Sequence, residues 1–167
     1  MKPVVGIIMG SDSDASVMQE AAKILKQFEI SYEIGVYSAH RSPHRTLEYV
    51  RSARERGLKV IIAGAGSSAH LAGVTAAETT LPVIGVPIDG SPLSGFDALM
   101  STVQMPPGVP VATMGVGKSG ATNAGILAAQ ILALSDEKLT KKLAEYKDRL
   151  EKAVAEKSKN IQEQNAG

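Results

Sequence analysis

VVGIIMGSDSD, residues 4–14, is the stretch on which the fold turns. Val4 to Met9 form a short, nearly all-apolar run, as expected of a strand covered on both faces. GSDSD at 10–14 then reads as a turn, with Asp14 placed to cap the next helix. In that helix Val17, Ala21, Ile24, Leu25 and Phe28 recur at helical spacing, which predicts an amphipathic element to about residue 29.

Working outward, the strand–turn–helix unit repeats. YEIGVY at 32–37 is a second strand, and Ser42 with Pro43 is a cap and first turn. Leu47, Val50 and Ala53 then make a buried stripe that Gly57 ends. KVIIA at 59–63 is a third strand, leading to the small-residue loop GAGSSAHLAG and a helix to about residue 79. PVIGVPI at 82–88 is a fourth strand. An irregular stretch at 89–108 holds three prolines and a short helix near 97–103. VPVATMGV at 109–116 is a fifth strand, and GKSGATN opens a helix from about residue 122 to 134. Strands alternating with helices imply a parallel sheet with helices on both faces. The 167 residues fit one α/β domain, with a core over about 4–134 and a helical extension over about 136–160. In that extension Leu139, Leu143, Tyr146 and Leu150 are spaced 4, 3 and 4 apart on an otherwise charged helix. Such a narrow seam packs either on its own domain or on a neighbouring subunit.

Composition excludes several function classes. Apolar residues at 44% suffice for a core, but aromatics are 4% and Trp is absent, so base-stacking platforms for nucleic acid are lacking. A formal charge of +1 with no basic run gives no phosphate-backbone track. No cysteine means no disulfide scaffold, thiolate metal site or thiol nucleophile. The first apolar run is too short for a signal peptide or a membrane span, so the cytoplasm is expected.

In open parallel sheets ligands bind beyond the carboxyl ends of the strands. That rule nominates four loops: 10–14, 38–43, 64–73 and 117–123. In the first, Ser11 and Ser13 offer hydroxyls beside a helix start that favours an anion, and Asp14 suits ribose hydroxyls. In SAHRSP, Arg41 supplies a charged donor fork for phosphate, Ser38 a neutral donor, and His40 the side-chain type that titrates near neutrality. GAGSSAHLAG contains no lysine and is not a Walker loop; Gly64 and Gly66 fit a dinucleotide fingerprint, but Ala69 stands at its third glycine. His70 reads as a structural or ligand-positioning residue. The three histidines, His40, His44 and His70, lie at no spacing from a carboxylate that would close a metal site, and no G-x-S-x-G elbow succeeds a strand. A flavodoxin-like binding or signalling module is the competing class. A receiver would need acidic strand ends where this chain has Ser38, Gly64 and Pro87, and a flavin site would need aromatic loops.

With GSDSD, SAHR, GAGSSAHL and VQMPPGVPVAT in order from about Val4 to Leu134, the chain resembles the N5-carboxyaminoimidazole ribonucleotide mutase family of bacterial purine synthesis. The resemblance implies a flavodoxin-like three-layer α/β/α sandwich, a homo-octamer, and no ATP, metal or organic cofactor. The implied reaction moves a carboxylate from the exocyclic nitrogen to ring carbon 4 of an aminoimidazole ribonucleotide. By matching motif, Ser11, Asp14 and Arg41 resemble the phosphate and ribose ligands, with Ser13 and Ser38 beside them. His40 resembles the general acid–base residue. The loop from Gly64 to Leu71, including Gly66, Ser67 and His70, resembles the base and CO2 pocket. The chain departs from the family pattern at Ser67 and Ser68, where Gly-Ala is usual, and at Ala72, where Pro is usual. A related branch carboxylates the aminoimidazole ribonucleotide directly with CO2.

Overall fold

The computed structural model describes residues 2–165, in two compact units that divide between Ile131 and Leu132. In the first unit a five-stranded parallel sheet has the order β2-β1-β3-β4-β5, from β1 (Val5–Met9), β2 (Tyr32–Val36), β3 (Val60–Gly66), β4 (Val83–Ile88) and β5 (Ala112–Thr113). This is the flavodoxin-like α/β order, with helices on both faces. The helices are α1 (Ala15–Gln27), α2 (Pro43–Arg56), α3 (Leu71–Glu78), α4 (Phe96–Val103) and α5 (Lys118–Ala133).

β1 and β4 are buried throughout, which explains why they read as unbroken apolar runs. On one face Ile8, Ile61, Ala63 and Val83 meet Val50 and Ala53 of α2 and Leu71 and Ala72 of α3. On the other face Met18 of α1 lies so close over Gly64 that a Cβ there would push its side chain aside, and Gly125 lets α5 close on Ala21 and Ile24. In α2 the buried polar position is Thr46, and Leu47 is only half-buried, so the stripe is Thr46, Val50 and Ala53. Gly57 ends α2 in the left-handed conformation at φ +101°, as its position after the stripe predicts.

Three element boundaries differ from the sequence reading. β3 continues through Gly64, Ala65 and Gly66, which pair with Val86, Pro87 and Ile88, so the loop begins only at Ser67. β5 is two residues long, because Pro110 offers no N–H to the ladder and only Ala112 and Thr113 find partners. α5 starts at Lys118 rather than near residue 122. Gly117 turns the chain at φ +77°, and Gly120 sits where a Cβ would overlap the carbonyl oxygen of Gly115. That glycine belongs to the first helical turn, not to a loop.

The second unit contains α6 (Glu137–Gln164), 28 residues long. Asp136 caps it by accepting the Leu139 N–H at 3.0 Å, and Thr140 Oγ1 donates to the carbonyls of Ala133 and Asp136. Among the described residues no helix is long and apolar enough to cross a membrane.

Candidate active site

The site is assembled by three tight loops at the carboxyl ends of β1, β2 and β3. In the first, the sequence GSDSD does not lead straight into α1 but through a single 3₁₀ turn, Asp12–Asp14. Ser11, not Asp14, is therefore the cap. Its Oγ accepts the Ser13 N–H at 3.4 Å, and Asp14 Oδ2 reaches back to accept the Ser11 N–H at 3.0 Å. α1 itself has no side-chain cap. Asp14 is buried, and burial raises its carboxyl above the ordinary 3.8, while the Ser11 N–H bond and the Arg41 charge oppose the rise.

The second loop is knotted around Ser38. Its Oγ accepts the Arg41 N–H at 3.0 Å, its N–H donates to Ser42 Oγ at 3.2 Å, and its carbonyl takes the hydroxyls of Ser42 and Thr46. Ser42 occupies the cap position of α2, just before Pro43, yet its hydroxyl is engaged with Ser38 rather than with the helix N–H groups. The exchange fixes the backbone on which His40 and Arg41 stand. Arg41 Nη2 donates to the Gly10 carbonyl at 3.0 Å and so ties this loop to the first.

In the third loop Ala69 and His70 donate their N–H groups to the carbonyls of Ser67 and Ser68. That compact turn sets His70 at the start of α3. Since β2 and β3 flank β1 in the sheet, His40 and His70 meet across the end of β1. His40 Nε2 lies 2.8 Å from His70 Nδ1, with the rings near perpendicular at 89°. One ring donates and the other accepts, so the contact holds a single proton.

All ten residues singled out in the sequence line one cavity of about 330 Å³: Ser11, Ser13 and Asp14, then Ser38, His40 and Arg41, then Gly66, Ser67, His70 and Leu71. Ser68 and Gly90 line it too. Motif reading does not reach Gly90, although it lies just beyond β4 and the same strand-end rule points to that loop. The fourth nominated loop is not in this cavity. Gly117 and Lys118 line an adjoining space of about 590 Å³ with Asp89, which shares Ser13, Asp14 and Gly90 with the first. Among the described residues no group of three His, Cys, Asp or Glu is placed to hold a metal. A groove of about 430 Å³ outside β2 is lined by Tyr37, Tyr49, Arg45 and Arg56, but there Arg56 is neutralised by Glu33 at 2.5 Å.

The model of the AIR carboxylase family matches residues 4–153, which spans all three loops. The chain belongs to the AIR carboxylase family. Within it, the N5-carboxyaminoimidazole ribonucleotide mutase of Bacillus subtilis (strain 168) is 56% identical over 161 residues, covering 96% of this chain and 99% of that one. The phosphoribosylaminoimidazole carboxylase of Schizosaccharomyces pombe is 54% identical over 160 residues, 96% of this chain but 29% of that longer protein. The crystal structure of Treponema denticola PurE matches the fold at a TM-score of 0.86 and 28% identity, covering 95% of this chain and 98% of that one.

Proposed function

We propose that this AIR carboxylase family member is an N5-carboxyaminoimidazole ribonucleotide mutase of de novo purine biosynthesis. It isomerises the N-carboxylated ribonucleotide to 4-carboxy-5-aminoimidazole ribonucleotide. The carrying observation is the His40–His70 contact, closed over the same cavity that holds Arg41 and Asp14. Proximity of an acid–base pair to a phosphate donor and a ribose acceptor suits a phosphorylated substrate whose chemistry is proton transfer.

In this reading the Arg41 fork, with one Nη2 bond committed to Gly10, turns its remaining donors to the phosphate, helped by Ser11, Ser13 and Ser38. Asp14 accepts the ribose hydroxyls. His40 protonates the exocyclic nitrogen of the carbamate, and the N–C bond breaks to give CO2 and an electron-rich enamine. Carbon 4 attacks the held CO2, forming the new C–C bond, and His40 then removes the carbon 4 proton to restore aromaticity. One proton is given and one recovered. The balance closes without ATP, metal or organic cofactor. His70 orients His40 through the 2.8 Å contact, and Gly66, Ser67 and Leu71 shape the pocket for base and CO2. We read the chain as one catalytic domain with a C-terminal helical extension, acting in the cytoplasm as a homo-octamer, with no nucleic-acid or membrane partner. Support for assembly comes from Leu93, Phe96, Met100 and Val103, large apolar side chains exposed on and beside α4.

The similarity to a fungal carboxylase at 54% identity favours a second reading, direct carboxylation by CO2. An interconversion assay with and without bicarbonate separates the two. The mutase reading requires turnover of the N-carboxylated nucleotide without ATP and without bicarbonate stimulation. Activity that needs high bicarbonate and ignores that nucleotide would establish the carboxylase instead.

A further inference from the structure

Among the described residues Ser67 is one of three non-glycine positions held at positive φ, with Glu29 and Ser94, and the one of them that lines the active-site cavity. At φ +52° its Cβ is crowded by its own backbone, a strain that glycine would escape. A strained residue at a site points to a function for the side chain that imposes it. That side chain is a hydroxyl, and it has no hydrogen-bond partner among the described residues. Of the other cavity serines, Ser11 donates to Asp12 and Ser38 Oγ accepts the Arg41 N–H, whereas Ser13 and Ser68 make no such bond among the described residues; Ser67 alone among them is held at positive φ. Ser67 is also next to the reacting end of the cavity, since its loop carries His70, which contacts His40.

We propose that Ser67 is a specificity-determining residue, its free hydroxyl donating to the migrating carboxylate and keeping the carbon dioxide bound between its departure from nitrogen and its capture by carbon 4. The inference rests on the mutase reading. A hydroxyl turns freely about its Cβ–Oγ bond, so one donor serves the group at both attachment points without backbone movement. The anionic carboxylates at the two ends are strong acceptors and free CO2 a weak one. The bond therefore strengthens as carbon 4 closes on CO2 and the new carboxylate develops, which favours capture over escape and shortens the interval in which the group is free to leave.

The test tracks a labelled carboxyl group. The full chain and its Ser67→Ala and Ser67→Gly variants are given the N-carboxylated nucleotide with a ¹³C carboxyl group in unlabelled bicarbonate. Both variants should show a ratio of retained to exchanged label about 2–12-fold below that of the parent, the loss of one hydrogen bond to a group still close to uncharged CO2 when it partitions between capture and escape. Ser67→Gly relieves the left-handed strain, so it keeps the experiment readable if Ser67→Ala folds poorly. Equal retention in parent and variants overturns the proposal. So does loss of label in Ser67→Gly alone, which would assign the effect to the backbone. Failure of the mutase reading shows elsewhere, as a parent chain that does not convert the nucleotide, and it overturns both.

Discussion

His40 and His70 come from loops thirty residues apart, and nothing in either motif announces that the rings touch. The contact makes the division of labour between them testable. His40→Asn removes the proton carrier while leaving Arg41 and Ser11 in place, so turnover should fall about 10²–10⁴-fold with nucleotide binding retained. His70→Asn should cost less, because an amide still hydrogen-bonds His40. Turnover and equilibrium binding measured on both variants decide it; an active His40 variant beside an inactive His70 variant would reverse the roles. Asp14 gives a second test, through pH. Its folded carboxyl titrates above 3.8, so between 3.8 and that raised value the folded state binds more protons than the unfolded. Stability therefore falls as pH rises through this window, and the cost persists above it. Asp14→Asn keeps an oxygen for the Ser11 N–H but cannot ionise. Relative to the parent it should gain thermal stability as pH rises past 3.8, and melting curves offset by a constant amount at every pH would show that burial of the charge is not what Asp14 costs.

At the scale of elements, the legible part of the sequence is whatever periodicity controls. β1 and β4, the stripe of α1 and the Gly57 stop all lie where apolar spacing and backbone freedom put them. The errors fall where small residues serve two structures equally well. GAG at 64–66 looks like a loop because it lacks apolar bulk, but a Cβ at Gly64 would displace the Met18 side chain and one at Gly66 would press on the Ile88 carbonyl, and the three residues remain in the ladder. GKSG at 117–120 looks like a loop for the same reason, and Gly120 is a glycine because α5 begins against the Gly115 carbonyl. Spacing points to Asp14 as the cap of α1, whereas a 3₁₀ turn shifts the entry by one turn, and periodicity does not register such a turn. The ten candidate residues still converge, since the strand-end rule depends on strand direction and order rather than on exact boundaries.

For the whole molecule the open quantity is how many copies assemble, and two surfaces bear on it. Phe96, Met100 and Val103, spaced 4 and 3 apart, expose one side of α4, and Leu93 precedes them. On α6, Leu139 is buried whereas Leu150, Val154 and Ile161 are exposed along a helix half of whose residues are charged. Apolar side chains in such rows are costly in water unless something covers them. If further copies of the chain supply the cover, the full chain should scatter light as an octamer. Ending the chain after Ser135 removes the α6 surface but leaves α4, so that variant should form a smaller assembly rather than a monomer. Phe96→Asp, placing a charge in the middle of the α4 row, should lower the order of the full chain by the other route. A monomeric full chain defeats the octamer directly. An unchanged mass in the truncated chain would remove α6 from the interface and leave the α4 row as the surface that holds the copies together.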